Sequence, residues 1–134
     1  MTDTSNELIL IKLGGSLVTD KSGLEVVNPQ DLTHLCRQIF EARRDFPNLK
    51  HKFILSHGAG SYGHPMAKKY GTRKGVIIKE TSKSTEPEQE KQLAKNWLGF
   101  TRVGDSVARL NRIIVEALLK ADVPAFSVSP MQGE

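Results

Sequence analysis

The 134-residue sequence predicts an α/β fold, a mainly parallel sheet with helices packed on its faces. Three observations carry that expectation. Strand-like and helix-like stretches alternate along the chain. Two short apolar runs each stop at a glycine-rich turn. The stretches between strands have the helical periodicity that parallel neighbours need in a crossover.

Leu8-Ile-Leu-Ile-Lys-Leu13 is apolar except for one lysine and stops at Gly14-Gly15, the pattern of a buried parallel strand. Asn28-Pro29-Gln30-Asp31 reads as a helix start, with Asn28 as cap, Pro29 in the first turn and an acid near the positive dipole end. Leu32, Leu35, Cys36, Ile39 and Phe40 follow at helical spacing, and Pro47 ends the helix. Phe53-Ile-Leu-Ser56 is a second short strand, followed by His57-Gly-Ala-Gly-Ser-Tyr-Gly-His64. Pro65 is placed to open a short helix that Gly71 closes. Val76-Ile77-Ile78 reads as a strand. Residues 80–96 are mostly polar and read as an exposed flap or insertion. A long helix is expected from about Ala94 to Ala121, with Val103, Val107, Leu110, Ile114 and Leu118 on one stripe. Pro124–Val128 is a third strand candidate, and the sequence stops just after it.

Length and composition fit one domain. The hydrophobic fraction is 38%, and no stretch reaches the roughly 20 apolar residues that span a bilayer. The polar, acidic N-terminus reads as no secretory signal. Cys36 is the only cysteine, so an internal disulfide or a cysteine-built metal site is excluded, and a cytoplasmic location is expected. The net charge of +4 is compatible with nucleic acid, with an anionic small molecule or with solubility alone. The lysines are dispersed and no nucleic-acid-binding motif is present, so neither nucleic acid nor membrane is an expected partner.

Two stretches could carry chemistry. In Lys12-Leu-Gly-Gly-Ser16, a lysine at the end of an apolar strand needs water or an anion for its ammonium. Gly14 and Gly15 lack a Cβ, so their amides can approach a phosphate. The plainer reading is a tight turn with a snorkelling lysine. Gly58-Ala-Gly-Ser-Tyr-Gly63 fits the G-x-G-x-x-G dinucleotide pattern after a strand, with Glu80 near the spacing of a ribose-binding acid. Against that stand a very short following helix, no task for Lys12-Leu-Gly-Gly-Ser16, and the His64-Pro65 pair at the helix entrance. Lys21 gains meaning only if its loop folds back over the first glycine pair. His34 reads as structural and His57 as a loop anchor. No Walker, zinc-binding or serine-hydrolase pattern occurs.

Ile11–Lys21 and His57–Gly71 together resemble the isopentenyl phosphate kinases of the amino acid kinase superfamily, as does Leu110–Pro130. The resemblance implies a three-layer αβα sandwich, truncated here after its acceptor-binding half. It implies transfer of the γ-phosphoryl group of ATP to isopentenyl phosphate, with Mg2+ accompanying ATP, in a homodimeric enzyme of isoprenoid biosynthesis. Related readings are another phosphate or phosphonate acceptor, or a non-catalytic binding module of the same fold. Carried over by motif, Lys12, Gly14, Gly15 and Ser16 would surround the phosphates of ATP, with the Gly60 amide. Lys21 would stabilise the transition state. The Ala59 amide and the His64 imidazole would hold the acceptor phosphate. Lys12, Lys21 and His64 are thus the catalytic candidates, and no protein metal ligand is expected. Such residues suit two anions brought together, where the barrier is repulsion and alignment rather than proton removal. Trp97, Phe100, Val103 and Val107 could line the acceptor's apolar tail, although plain core packing explains them as well.

Overall fold

The computed structural model describes residues 8–45, 52–75 and 86–129. Strand β1 (Leu8–Leu13) pairs in parallel with β4 (Lys52–His57), in a register that sets Lys12 beside Ser56 and Leu13 beside His57. Between them lie α1 (Gly15–Val18), a two-stranded antiparallel hairpin of β2 (Thr19–Asp20) and β3 (Val26–Val27), and α2 (Pro29–Asp45). Helix α3 (Gly60–Tyr70) leaves β4, a 3-10 turn follows at Thr72–Lys74, and α4 (Glu86–Lys120) is the longest element.

Helix α2 begins as its sequence implies. Asn28 Oδ1 accepts from the Asp31 amide at 3.4 Å, and Asn28 Nδ2 donates to Asp31 Oδ2 at 2.5 Å. Pro47 and the strand expected at Val76–Ile78 lie outside the described residues, as do residues 80–85 of the expected flap. Residues 86–95 are exposed but helical. Helix α4 therefore starts about two turns before the expected Ala94. Its first turns lack an apolar stripe, yet they consist of good helix formers, with Pro87, Glu86 and Glu88 in the first turn where proline and acids are favoured.

The core joins one face of the sheet to the helices. Leu13, Val18, Leu32, Cys36, Ile39, Tyr62, Leu110, Ile114, Leu118 and Val123 form it, with Ile11 and Leu55 packed against them. Residues two apart on a strand share a face. Leu8, Leu10, Lys12 and Ile54 are accordingly on the other face, and all four are exposed. Strand β1 is parallel as expected but buried on one face only: two of the three sandwich layers are present among the described residues. The third strand is not observed. Residues 123–129 enter no ladder among the described residues, and Phe126 and Val128 are exposed.

Candidate functional site

The parallel register brings both glycine turns to the same end of the sheet. The Gly58 amide donates to Leu13 O at 2.9 Å, fastening the second turn to the end of the first strand. The two main chains then run in contact. A Cβ on Gly58 would lie 2.8 Å from the Gly15 nitrogen, so only glycine permits this approach. Gly60 has φ +49°, in the left-handed region. Thr19 ties the turns from beneath. Its buried hydroxyl donates to Gly15 O at 2.7 Å and accepts from the Ser61 amide at 3.0 Å.

Pro65 is not the first residue of a helix. Helix α3 starts five residues earlier, at Gly60, and contains Pro65 in its interior. A proline there has no N–H for the carbonyl four residues back, Ser61 O. That carbonyl instead accepts from the Glu25 amide at 3.3 Å. The Ser61 hydroxyl adds two bonds to the same hairpin, donating to Val26 O at 3.0 Å and accepting from the Val26 amide at 3.2 Å. The lost helical bond becomes a tertiary one, and it fixes the hairpin whose turn carries Lys21. Glu25, at φ +56°, accepts from Ser106 at 2.7 Å and pairs with Arg109, which ties the hairpin to α4 as well.

The candidate residues occupy these positions. Gly14 is the N-cap of α1, and Gly15 and Ser16 are its first two residues. Ala59 is the N-cap of α3 and Gly60 its first residue. Neither cap uses a side chain, and the amides of Gly15, Ser16, Ala59 and Gly60 have no hydrogen-bond partner among the described residues. Lys12 is exposed at the end of β1, on the face away from α4. Lys21 is exposed in the β2–β3 turn. Neither ammonium pairs with a carboxylate among the described residues. His64 is exposed one turn into α3, and its Nδ1 lies 3.0 Å from Arg73 Nη2. The two glycine turns are thus brought together, whereas no hydrogen bond links the side chains of Lys12, Lys21 and His64.

His57 is an anchor, in line with its expected part. Asn111 Nδ2 donates to its Nε2 at 3.1 Å, so the ring proton is on Nδ1, 3.2 Å from Gly58 O. Asn111 in turn accepts from Ser127. Two surface depressions lie elsewhere, one on α2 around Thr33 and His34 and one between α2 and α4. The glycine turns line neither of them and meet in a ledge of main chain. Trp97 and Phe100 meet edge to face at 6.0 Å between ring centroids, and both are exposed. Arg73 and Asn111 were not legible as site residues. For Arg73 the signal was Gly71 and Gly75 bracketing Thr72-Arg73-Lys74, two of them basic. For Asn111 there was none.

No group of three His, Cys, Asp or Glu residues is placed to hold a metal ion among the described residues. No described helix is long and apolar enough to cross a membrane.

The model of the amino acid kinase family matches residues 7–134. Isopentenyl phosphate kinase of Methanocaldococcus jannaschii is 33% identical over 125 residues, covering 92% of this chain and 43% of that protein. The enzyme of the same name from Methanothermobacter thermautotrophicus is 32% identical over 124 residues, covering 92% and 40%. A solved structure described as an X-ray structure of isopentenyl phosphate kinase superposes with a TM-score of 0.72 at 29% identity, covering 92% of this chain and 43% of that one. The chain thus spans less than half the length of the relatives it matches.

Proposed function

The chain belongs to the amino acid kinase family, and from that premise we propose that it is the acceptor-binding part of a kinase that phosphorylates isopentenyl phosphate. In this reading an oxygen of the acceptor phosphate attacks the γ-phosphorus of ATP. The bond from that phosphorus to the β–γ bridging oxygen breaks, isopentenyl diphosphate forms and ADP leaves. The acceptor oxygen is already anionic, so no general base is required. The barrier is the meeting of two anions, and fixed positive groups lower it.

Lys12 and the amides of Gly14, Gly15 and Ser16 serve the nucleotide phosphates, joined by the Gly60 amide. The Ala59 amide and His64 hold the acceptor phosphate, and Lys21 offsets charge as the phosphoryl group moves. The enzyme is proposed to be cytoplasmic and homodimeric, with magnesium accompanying ATP. The observation that carries the reading is the contact between the two turns. A Cβ on Gly15 would lie 2.6 Å from the Gly60 nitrogen, so the nucleotide-side amides of the two turns meet directly beside Ala59, whose amide is assigned to the acceptor. Open amides on a rigid turn suit oxyanions.

The test is to titrate the 134-residue chain with isopentenyl phosphate and, separately, to assay it with γ-labelled ATP, magnesium and the same acceptor. Binding with label transfer supports the kinase. Binding without transfer supports an acceptor-binding module of the same fold. No binding overturns both.

A further inference from the structure

His64 and Arg73 are nine residues apart, yet their side chains meet at 3.0 Å. On one continuous helix that separation would put them about 13.5 Å apart along the axis and on opposite sides. Gly71 makes the contact possible. It closes α3 at φ +67°, its amide reaching Ala67 O and Lys68 O. The chain then doubles back in a 3-10 turn, with the Lys74 amide on Gly71 O at 3.0 Å and the Gly75 amide on Thr72 O at 3.3 Å. This hydrogen-bonded turn returns Arg73 to the His64 side of the helix.

The direction of the bond follows from the groups. A guanidinium has only donors. Arg73 Nη2 must donate, and His64 Nδ1 must present its lone pair. In the neutral ring the proton is then on Nε2, the nitrogen left open for an anion. Both side chains are exposed, and Arg73 pairs with no carboxylate among the described residues.

We propose that Arg73 is a positioning residue for His64: it selects the Nε2–H tautomer and orients the ring so that this donor meets the acceptor phosphate. The proposal rests on the reading of His64 as a phosphate donor. Arg73 acts through the imidazole and not on the phosphate itself. The same second-layer logic governs metal-bound histidines, where loss of the orienting partner typically costs about 10- to 100-fold in affinity.

Imidazole nitrogen NMR on the 134-residue chain tests the tautomer without any ligand. The unaltered chain should show a protonated Nε2 and an unprotonated Nδ1 at His64. Arg73→Ala should give a tautomer mixture, and Arg73→Lys, which keeps a donor, should restore the single form in part. A single Nε2–H form that persists in Arg73→Ala would overturn the proposal, as would Nδ1–H in the unaltered chain. Titration with isopentenyl phosphate supplies the second arm. Arg73→Ala should weaken binding about tenfold, and should add nothing in a His64→Ala background. Equal weakening in both backgrounds would make Arg73 a direct phosphate contact and overturn the positioning role. If the unaltered chain bound no phosphate monoester, the functional reading would fail, while the tautomer arm would still decide the link between Arg73 and His64.

Discussion

Gly15 and Gly60 pass main chain to main chain: a Cβ added to Gly15 would stand 2.6 Å from the Gly60 nitrogen and 2.9 Å from its Cα. Backbone atoms cannot yield as a flexible side chain does. Gly15→Ala is therefore expected to destabilise the fold by about 1–3 kcal/mol. Gly60→Ala should cost at least as much. Its left-handed backbone adds about 1–2 kcal/mol, and the new methyl would meet Thr19 Oγ1 at 2.0 Å. Gly14 has nothing within 4 Å of an added Cβ, so Gly14→Ala should stay within about 0.5 kcal/mol of the unaltered chain. Urea unfolding of the three variants checks the order.

Thr19 is the peg under the two turns. Thr19→Val keeps the shape but strands the Ser61 amide and takes one of two donors from Gly15 O, which keeps the Thr19 amide. The expected loss is about 1–3 kcal/mol. Hydrogen exchange at Ser61 should rise with it, and unchanged exchange there would remove Thr19 from this role.

Asp122 follows α4 at φ +57°. Its amide bonds Leu119 O at 3.1 Å, and the next amide, of Val123, bonds Leu118 O at 2.9 Å. Glycine takes this conformation without steric cost, so Asp122→Gly should raise stability by up to about 1 kcal/mol. Asp122→Val should lower it. Thermal midpoints of the pair give the sign directly.

Cys36 is 1% exposed, and burial pushes its thiol above the usual 9.0. The native state then favours the neutral thiol. As pH rises past 9 the unfolded chain loses this proton first, so the contribution of Cys36 to stability is whole below that point and fades as pH climbs toward the raised native value. Urea midpoints at about pH 8 and pH 10 should therefore fall more for the unaltered chain than for Cys36→Ala. Equal falls would show that the thiol titrates alike in both states.

The elements legible in the sequence were those whose local chemistry agrees with their tertiary setting. Strands β1 and β4 are short apolar runs ended by glycine, and α2 begins with Asn28 and Pro29. The start of α3 was not legible, because Gly60 and Pro65 both argue locally against a helix. The helix persists because Glu25 takes the carbonyl that Pro65 leaves open and Thr19 takes the Ser61 amide. Those partners are 36 and 42 residues away, beyond the reach of any local pattern. The β2–β3 hairpin was missed for the same reason: two-residue strands have no periodicity to read. The glycine turns of the site were legible as spacing. Their contact follows from the parallel register. The pairing of His64 with Arg73 depends on a chain reversal at Gly71, which spacing alone does not give.

The ledge itself is tested most directly by amide NMR of the 134-residue chain titrated with isopentenyl phosphate, with isopentenol as the uncharged control. The phosphate is expected to shift the Ala59 amide and the His64 ring, and ATP added afterwards to shift the amides of Gly15, Ser16 and Gly60, while the alcohol leaves all of them in place. Shifts confined to one turn, or equal shifts with the alcohol, would contradict a shared anion site.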